Sequence, residues 1–248
     1  MSVCNTCQCY KRLAFEIKMA YQPIVNVANK EIFAFEALVR GENGEGAGIV
    51  LDQVTDDLIY SFDQRCRMTA IETAAKIGLP GRVSINFLPN AIYEPETCLA
   101  RTLETANRVG FPRENIIFEV TEHEKIENHE LLKDVFKTYK QHGFLTAIDD
   151  FGEGYAGLNL LSDFQPDLLK IDMNLIRDID TQPVKRAIVN GVLSVARDLG
   201  ITPIAEGIET ESEYKALVDL GVDLMQGFYF AKPLIEQYEI PAGFQAKG

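Results

Sequence analysis

Positive charge is scarce in this chain. Against 37 Asp and Glu stand only 24 Lys and Arg, which leaves a formal net charge of -13 and a pI near 4.7. Sequence-independent grip on a long nucleic acid depends on lysine and arginine displacing counterions along the phosphate backbone, so this balance excludes it. A short nucleotide stays open, because bound metals can supply the positive charge locally. Long apolar runs are missing as well: none approaches the roughly 18 residues of a membrane span, and Met1–Tyr10 lacks the apolar stretch of a signal peptide. A cytoplasmic protein with no membrane contact is expected. No internal repeat, low-complexity tract or interdomain linker divides the 248 residues, which is about the length of one eight-stranded βα barrel. At 46% hydrophobic, the chain can fill a single core.

Cysteine is sparse and odd in number. Of five residues, Cys4, Cys7 and Cys9 sit together and the others are scattered. A reducing cytosol keeps such residues as free thiols, here on a short tail of residues 1–18 that precedes a single domain of residues 19–248. The Cys-x-x-Cys spacing could supply zinc ligands, but no fourth ligand is evident.

What the chain has in abundance is apolar, strand-like runs that end on an acid, amide or amine. Phe33–Phe35 leads into Glu36, Val83–Ile85 into Asn86, Ile116–Phe118 into Glu119, and Thr146–Ile148 into Asp149 and Asp150. Leu168–Leu169 leads to Lys170, Thr202–Ala205 to Glu206, and Asp223–Met225 to Gln226. Successive strands that carry functional groups at their C-terminal ends, with helix-like segments between, predict a closed parallel barrel whose site lies on that face. The predicted helices are Asp56–Ile77, Glu96–Val109, Glu130–His142, Pro183–Leu199 and Glu211–Leu220, several stopping at Gly78, Gly110, Gly143, Gly200 or Gly221 as C-terminal caps. One element breaks the alternation. Tyr21–Val25 and Ile32–Leu38 are separated only by Asn26–Glu31, room for a hairpin but not a crossover helix, so this pair is antiparallel. The fold class is therefore α/β, a TIM-like (β/α)8 barrel with one antiparallel strand. Gly41–Gly48, with four glycines in eight residues, reads as a mobile loop.

Glu36, Glu119, Asp149, Asp150 and Glu206 would converge at one barrel mouth, five negative charges that repel strongly at low dielectric unless cations bind. Two divalent ions and Lys170 bring the set near neutrality. Oxygen ligands, with Asn86 as a neutral carbonyl, suit Mg2+ or Mn2+. Asp149 and Asp150 are adjacent, so within a strand they would face opposite ways; at the strand end the second can turn back, and Gly152 and Gly154 permit the turn. A carboxylate shared by two metals is the arrangement used in phosphodiester hydrolysis. Phe151 and Tyr155 are assigned to loop packing rather than base stacking.

Glu36-Ala37-Leu38-Val39-Arg40 opens an ordered motif series that resembles the EAL family of cyclic di-GMP phosphodiesterases. Tyr21–Ile24, Ser84–Phe87, Phe118–Glu122, Asp149–Gly152, Lys170–Asp172, Ala205–Glu209 and Gln226–Phe228 follow in order, covering about Met19–Pro233. The resemblance implies hydrolysis of one phosphodiester of cyclic di-GMP to linear pGpG, with two Mg2+ or Mn2+ ions and inhibition by Ca2+. It places Glu36, Asn86, Glu119 and Asp149 on one metal and the shared Asp149 with Asp150 and Glu206 on the other. Glu36, Lys170 and Glu206 become the catalytic residues, Lys170 orienting the attacking water. Gln22, Leu38, Arg40, Glu209 and Gln226 become substrate contacts, Arg40 at a phosphate and Glu209 at a guanine, while Glu122 braces the loop after Asp150. A homodimer is implied, and an unknown regulatory protein is a candidate partner.

Two stretches depart from the common family pattern. The usual tryptophan and His-Pro after Arg40 are replaced by Gly41–Gly46, and Glu153 stands where a small or hydroxyl residue is common, with Ala156 and Gly157 where serines commonly follow the tyrosine. Both are similar to EAL domains downstream of blue-light-sensing flavin (BLUF) domains; with fewer than 20 residues before the first strand, no such sensor is expected here. Two other readings compete. One is a catalytically silent EAL module that binds cyclic di-GMP or a protein; the other is an unrelated barrel enzyme, such as a metal-dependent aldolase or enolase-like lyase, which would use similar acids without needing this motif order.

Overall fold

The structure, a computed structural model, describes residues 13–92, 94–121, 129–154 and 157–246. Its first two strands, β1 (Ile17–Asn26) and β2 (Glu31–Gly41), form the expected antiparallel hairpin. Asn26 shapes the turn, its side-chain oxygen accepting from the N–H groups of Ala28 and Asn29 at 3.0 and 3.2 Å. Then follow α1 (Ala47–Leu51), α2 (Ile59–Lys76), β3 (Arg82–Asn86), α3 (Pro95–Val109), β4 (Ile116–Thr121), α4 (His129–Gln141), β5 (Leu145–Phe151) and α5 (Gly157–Asp163). The chain continues through β6 (Leu168–Ile171), α6 (Met173–Ile176), α7 (Pro183–Leu199), β7 (Thr202–Ala205), α8 (Glu211–Asp219), β8 (Leu224–Gln226) and β9 (Leu234–Ile235).

Strands β2 to β8 lie side by side and parallel in chain order, and β1 closes the ring by pairing antiparallel with both β8 and β2. The result is a closed eight-stranded barrel with one reversed strand, and β9 adds a short antiparallel pairing to β1 at Ala20 and Tyr21. All five glycines expected to stop helices have left-handed φ, the conformation that a C-terminal cap needs. Pro95 and Pro183 start α3 and α7, where a missing N–H costs nothing, and Thr210 with Glu213 forms a capping box at α8.

Side chains alternate across a strand, so seven of the barrel strands, all but β3, serve two cores. Facing inward, Ile24, Ala34, Ile117, Ala147, Leu168, Ile204 and Leu224 form a small apolar cluster in the barrel floor. Their neighbours Val25, Phe35, Ile116, Phe118, Ile148, Leu169, Ala205 and Met225 belong to the large cluster beneath the helices. Two residues further along β2, β4, β5, β6, β7 and β8 from the floor come Glu36, Glu119, Asp149, Lys170, Glu206 and Gln226. A constant period of two thus lifts a polar layer directly above an apolar one.

The stretch read as a mobile loop is instead a compact turn. Gly41 ends β2 and Gly48 lies inside α1, while between them the Glu45 carboxylate accepts from the backbone N–H and side-chain amide of Asn43 and the Gly41 N–H donates to the Glu45 carbonyl at 2.9 Å. At Gly41 the glycine serves close approach, since a Cβ there would meet the Glu45 carboxylate, whereas Gly46 and Gly48 have open space around them.

A buried ion pair ties α2 to the end of β3. Arg67 is fully buried, 2.7 Å from Asp63, and donates to the Tyr139 hydroxyl at 2.7 Å. Asp63 in turn accepts from the backbone N–H of Leu88 at 3.0 Å, two residues beyond Asn86.

Candidate active site

The mouth of the barrel at the C-terminal strand ends is ordered around Lys170. Its ammonium lies 2.8 Å from Asp149, 2.9 Å from Glu206, 3.2 Å from Glu119 and 3.6 Å from Glu36, and the side chain is only 1% exposed. Burial alone would lower the lysine pKa, but Asp149, Glu119, Glu206 and Glu36 together outweigh it and hold the pKa well above the usual range. The lysine stays charged. The carboxylates outnumber it: burial pushes Glu119 up to about 8 despite Lys170, and it pushes Glu206 well above the carboxylate range. Asp150 rises to about 7, through burial first and its neighbour Asp149 second. This is the physical signature of a site short of positive charge.

Local hydrogen bonds support Glu119 and Glu36. Ser84 donates to Glu119 at 2.8 Å; the Asn86 amide donates to Glu119 at 3.1 Å and to Glu36 at 3.4 Å. Gln226 donates to Glu36 at 2.6 Å and to Gln22 at 3.2 Å, while Gln22 donates to the carbonyl of Ala231 at 3.1 Å. Asp150 does turn back into the mouth, as the adjacent-acid argument requires. It does so through its own left-handed backbone, φ 52°, at a register shift in the pairing of β5 with β6, followed by Gly152 at φ 101°. Gly227 is needed for a different reason. A Cβ there would stand 2.1 Å from the carbonyl oxygen of Ile208, so only glycine lets the end of β8 meet the segment after β7.

Two acid groups could each hold a cation, and they share one residue. Glu36, Glu119 and Asp149 form one set and Asp149, Asp150 and Glu206 the other, each offering oxygens within 4.8 Å of one another. The donor set of carboxylates plus one amide, the charge deficit and the common Asp149 fit a pair of hard divalent ions. Asp150, Glu153 and Asp172 make a third acid grouping at the rim.

A pocket of about 270 Å3 opens above this layer, lined among others by Gln22, Glu36, Leu38, Glu209 and Gln226. Asp149, Asp150, Lys170 and Glu206 also face it, whereas Asn86 and Glu119 lie behind, reached through their contacts with Glu36 and Lys170. Arg40 is not brought to the lining; its guanidinium donates to the carbonyl of Val39 at 2.7 Å. Glu122, Tyr155, Cys4, Cys7 and Cys9 lie outside the described residues. Phe151 is buried, in keeping with a packing role.

Some lining residues escaped the sequence reading. Asp172 caps α6 by accepting from the Asn174 N–H at 2.9 Å, and with Met173, Gly207 and Phe228 it completes the wall. Asp172 and Phe228 stand inside the Lys170–Asp172 and Gln226–Phe228 runs, so their motif position was the available signal. Among the described residues, no helix is long and apolar enough to cross a membrane.

Fold and site together define a barrel protein whose acid-rich mouth can accept metals beside a ligand pocket. The profile of the EAL domain matches residues 11–233, and the chain belongs to the EAL domain family. A standalone versatile EAL protein from Vibrio cholerae O395, solved in its c-di-GMP bound form, is 54% identical with a TM-score of 0.89, over 91% of this chain and 95% of that one. The manganese/cy-diGMP complex of Klebsiella pneumoniae BlrP1 is 35% identical with a TM-score of 0.84, over 91% of this chain and 58% of that one. Among curated proteins of Escherichia coli, the blue light- and temperature-regulated antirepressor BluF is 33% identical over 86% of this chain and 53% of its own length. The cyclic di-GMP phosphodiesterase PdeR is 32% identical over 88% of this chain and 34% of its own. The chain therefore spans only about a third to a half of these curated relatives.

Proposed function

We propose that this chain is a metal-dependent phosphodiesterase that opens cyclic di-GMP to linear pGpG. The observation that carries the reading is Asp149, common to two acid groups that surround the buried Lys170 ammonium. Glu36, Asn86, Glu119 and Asp149 would hold one divalent cation, and Asp149, Asp150 and Glu206 the other. Such a pair, Mg2+ or Mn2+, supplies charge to the phosphate and lowers the pKa of water. The manganese complex of BlrP1 supports divalent metal use without fixing which ion serves here.

The remaining work falls to this chain's own groups. Lys170, kept protonated by its carboxylates, donates a hydrogen bond that orients the attacking water and stabilises charge growing on the phosphate. Gln226 holds Glu36 in place, and Gln22, Leu38 and Glu209 line the space for the nucleotide, Glu209 taking a guanine. Arg40 would have to release the Val39 carbonyl before meeting a phosphate. A cytoplasmic homodimer goes with the family likeness, and size-exclusion chromatography with light scattering tests the dimer.

The test is a product assay. With Mn2+ or Mg2+, cyclic di-GMP should be converted to pGpG, and Ca2+ should inhibit because its larger, looser coordination sphere will not keep tight octahedral geometry. Turnover without metal, or none with Mn2+, would sink the reading. The name of BluF, an antirepressor, favours a second one: a module that binds cyclic di-GMP or a protein without cleaving anything. Tight binding of cyclic di-GMP with no product in that assay would support it.

A further inference from the structure

At the pocket rim Glu209 does not stand alone. Arg177, just past α6, donates from Nη2 to Oε1 of Glu209 at 2.8 Å, and its other terminal nitrogen lies 3.5 Å from Glu213. Glu213 is a firm anchor. Almost fully buried, it accepts from the backbone N–H groups of Asp178, Glu209 and Thr210 at 3.0, 3.0 and 3.1 Å. Burial works to raise its pKa, but these backbone bonds win and hold it below the usual range. The Arg177 carbonyl is tied as well, accepting from the Lys185 ammonium at 2.7 Å. The segment after β6 and the segment after β7 are thereby joined across the rim by one guanidinium fork.

We propose that Arg177 is a positioning residue for ligand recognition, holding the Glu209 carboxylate over the pocket before the ligand arrives. The proposal rests on Glu209 being a substrate contact, as in the function proposed above. Its physical basis is preorganisation: a half-exposed glutamate left free would have to be ordered at the moment of binding, and that cost would appear as lost affinity. Arg177 engages Oε1, leaving Oε2 for a donor edge of the ligand. Because the fork is locked by Glu213 from the far side, it orients the acid without needing the ligand to complete it.

The experiment is a cycle of Arg177→Ala, Glu209→Ala and the double variant, each assayed for kcat and KM on cyclic di-GMP with Mn2+. Arg177→Ala should raise KM about three- to tenfold with kcat nearly unchanged, and the double variant should match Glu209→Ala alone, since Arg177 acts through that acid. Arg177→Lys should fall between wild type and Ala, keeping the charge but losing the fork. Unfolding midpoints recorded alongside identify a merely structural role, which would lower stability and leave KM alone. An unchanged KM in Arg177→Ala, or an increase that persists in the Glu209→Ala background, overturns the proposal while wild-type turnover still stands. A wild-type protein that neither binds nor cleaves cyclic di-GMP removes the reading beneath it and the proposal together.

Discussion

Arg67 and Lys170 are both buried cations, and they differ in how their charge is met. Arg67 faces one carboxylate, Asp63, one hydroxyl, Tyr139, and the rings of Phe87, Phe118 and Tyr139 at 5.3–5.9 Å. One positive charge meets one negative charge, with aromatic faces completing the shell. Lys170 faces four carboxylates within 3.6 Å, and Asp150 adds a fifth acid beside Asp149. The first site balances its charge and ties helix α2 to the wall. The second remains short of cations, and that imbalance is what makes it a place for chemistry.

Breaking the balanced site should be the costlier change for stability. Arg67→Met leaves Asp63 buried without its partner, which should cost about 3–5 kcal/mol in urea unfolding. Adding Asp63→Asn, which keeps an acceptor for the Leu88 N–H, should recover more than half of that loss. A double variant as unstable as the single one would show that Arg67 acts through the aromatic rings instead, and the contrast with Lys170 would lose its basis.

The imbalanced site should answer through activity rather than folding. Asp149→Asn removes the charge common to both acid groups, so turnover should fall more than about a hundredfold, beyond the usual range for residues that only support metal ligands. Mn2+ titration should show weakened binding in parallel. Because the variant relieves repulsion, its metal-free stability should match or exceed that of wild type; a large loss of stability would place Asp149 with Arg67 as a structural charge.

A smaller effect sharpens the comparison through pH. Glu119 lies at about 8 in the folded protein against an ordinary 4.5, and Asp150 at about 7 against 3.8, so the metal-free folded state binds protons that the unfolded chain has released. Their contribution to stability is complete below the ordinary carboxylate range and is lost as pH rises toward about 8. Between pH 7 and 8 these two groups alone should cost the metal-free protein roughly 1 kcal/mol of unfolding free energy, and Glu206 acts in the same direction. Metal binding displaces those protons, so Mn2+ affinity should rise over the same window. Unfolding curves with EDTA and with Mn2+ at both pH values check the pair, and a metal-free stability that climbs with pH would contradict the charge deficit.

Much of the barrel was legible because its signals are local. Period-two alternation, an acid, amide or amine at the ends of the barrel strands and a glycine after each of the five predicted helices are read within a few residues, which is why the polar layer and the reversed strand emerged in the expected places. The glycines of Gly41–Gly48 misled for the opposite reason. Glycine marks close approach as well as freedom, and only the Glu45 carboxylate folded against the turn tells the two apart. Arg40 next to the Glu-Ala-Leu run carried a motif position but no orientation, and its guanidinium turns to the adjacent carbonyl.

The sequence by itself therefore determined the order of the barrel strands and of the five long helices, though not α1, α5, α6 or β9, the face on which each polar strand end would stand, and an excess of acid at one mouth. Tertiary structure alone decided which charges are neighbours. Arg67 lies on helix α2, and the closing of the ring carries it into the aromatic wall of Phe87, Phe118 and Tyr139. Arg177 and Glu209 are separated by 32 positions and meet only because β6 and β7 are adjacent staves. Periodicity places a side chain on a surface; Coulomb energy depends on separation across that surface, which the closing of the barrel sets.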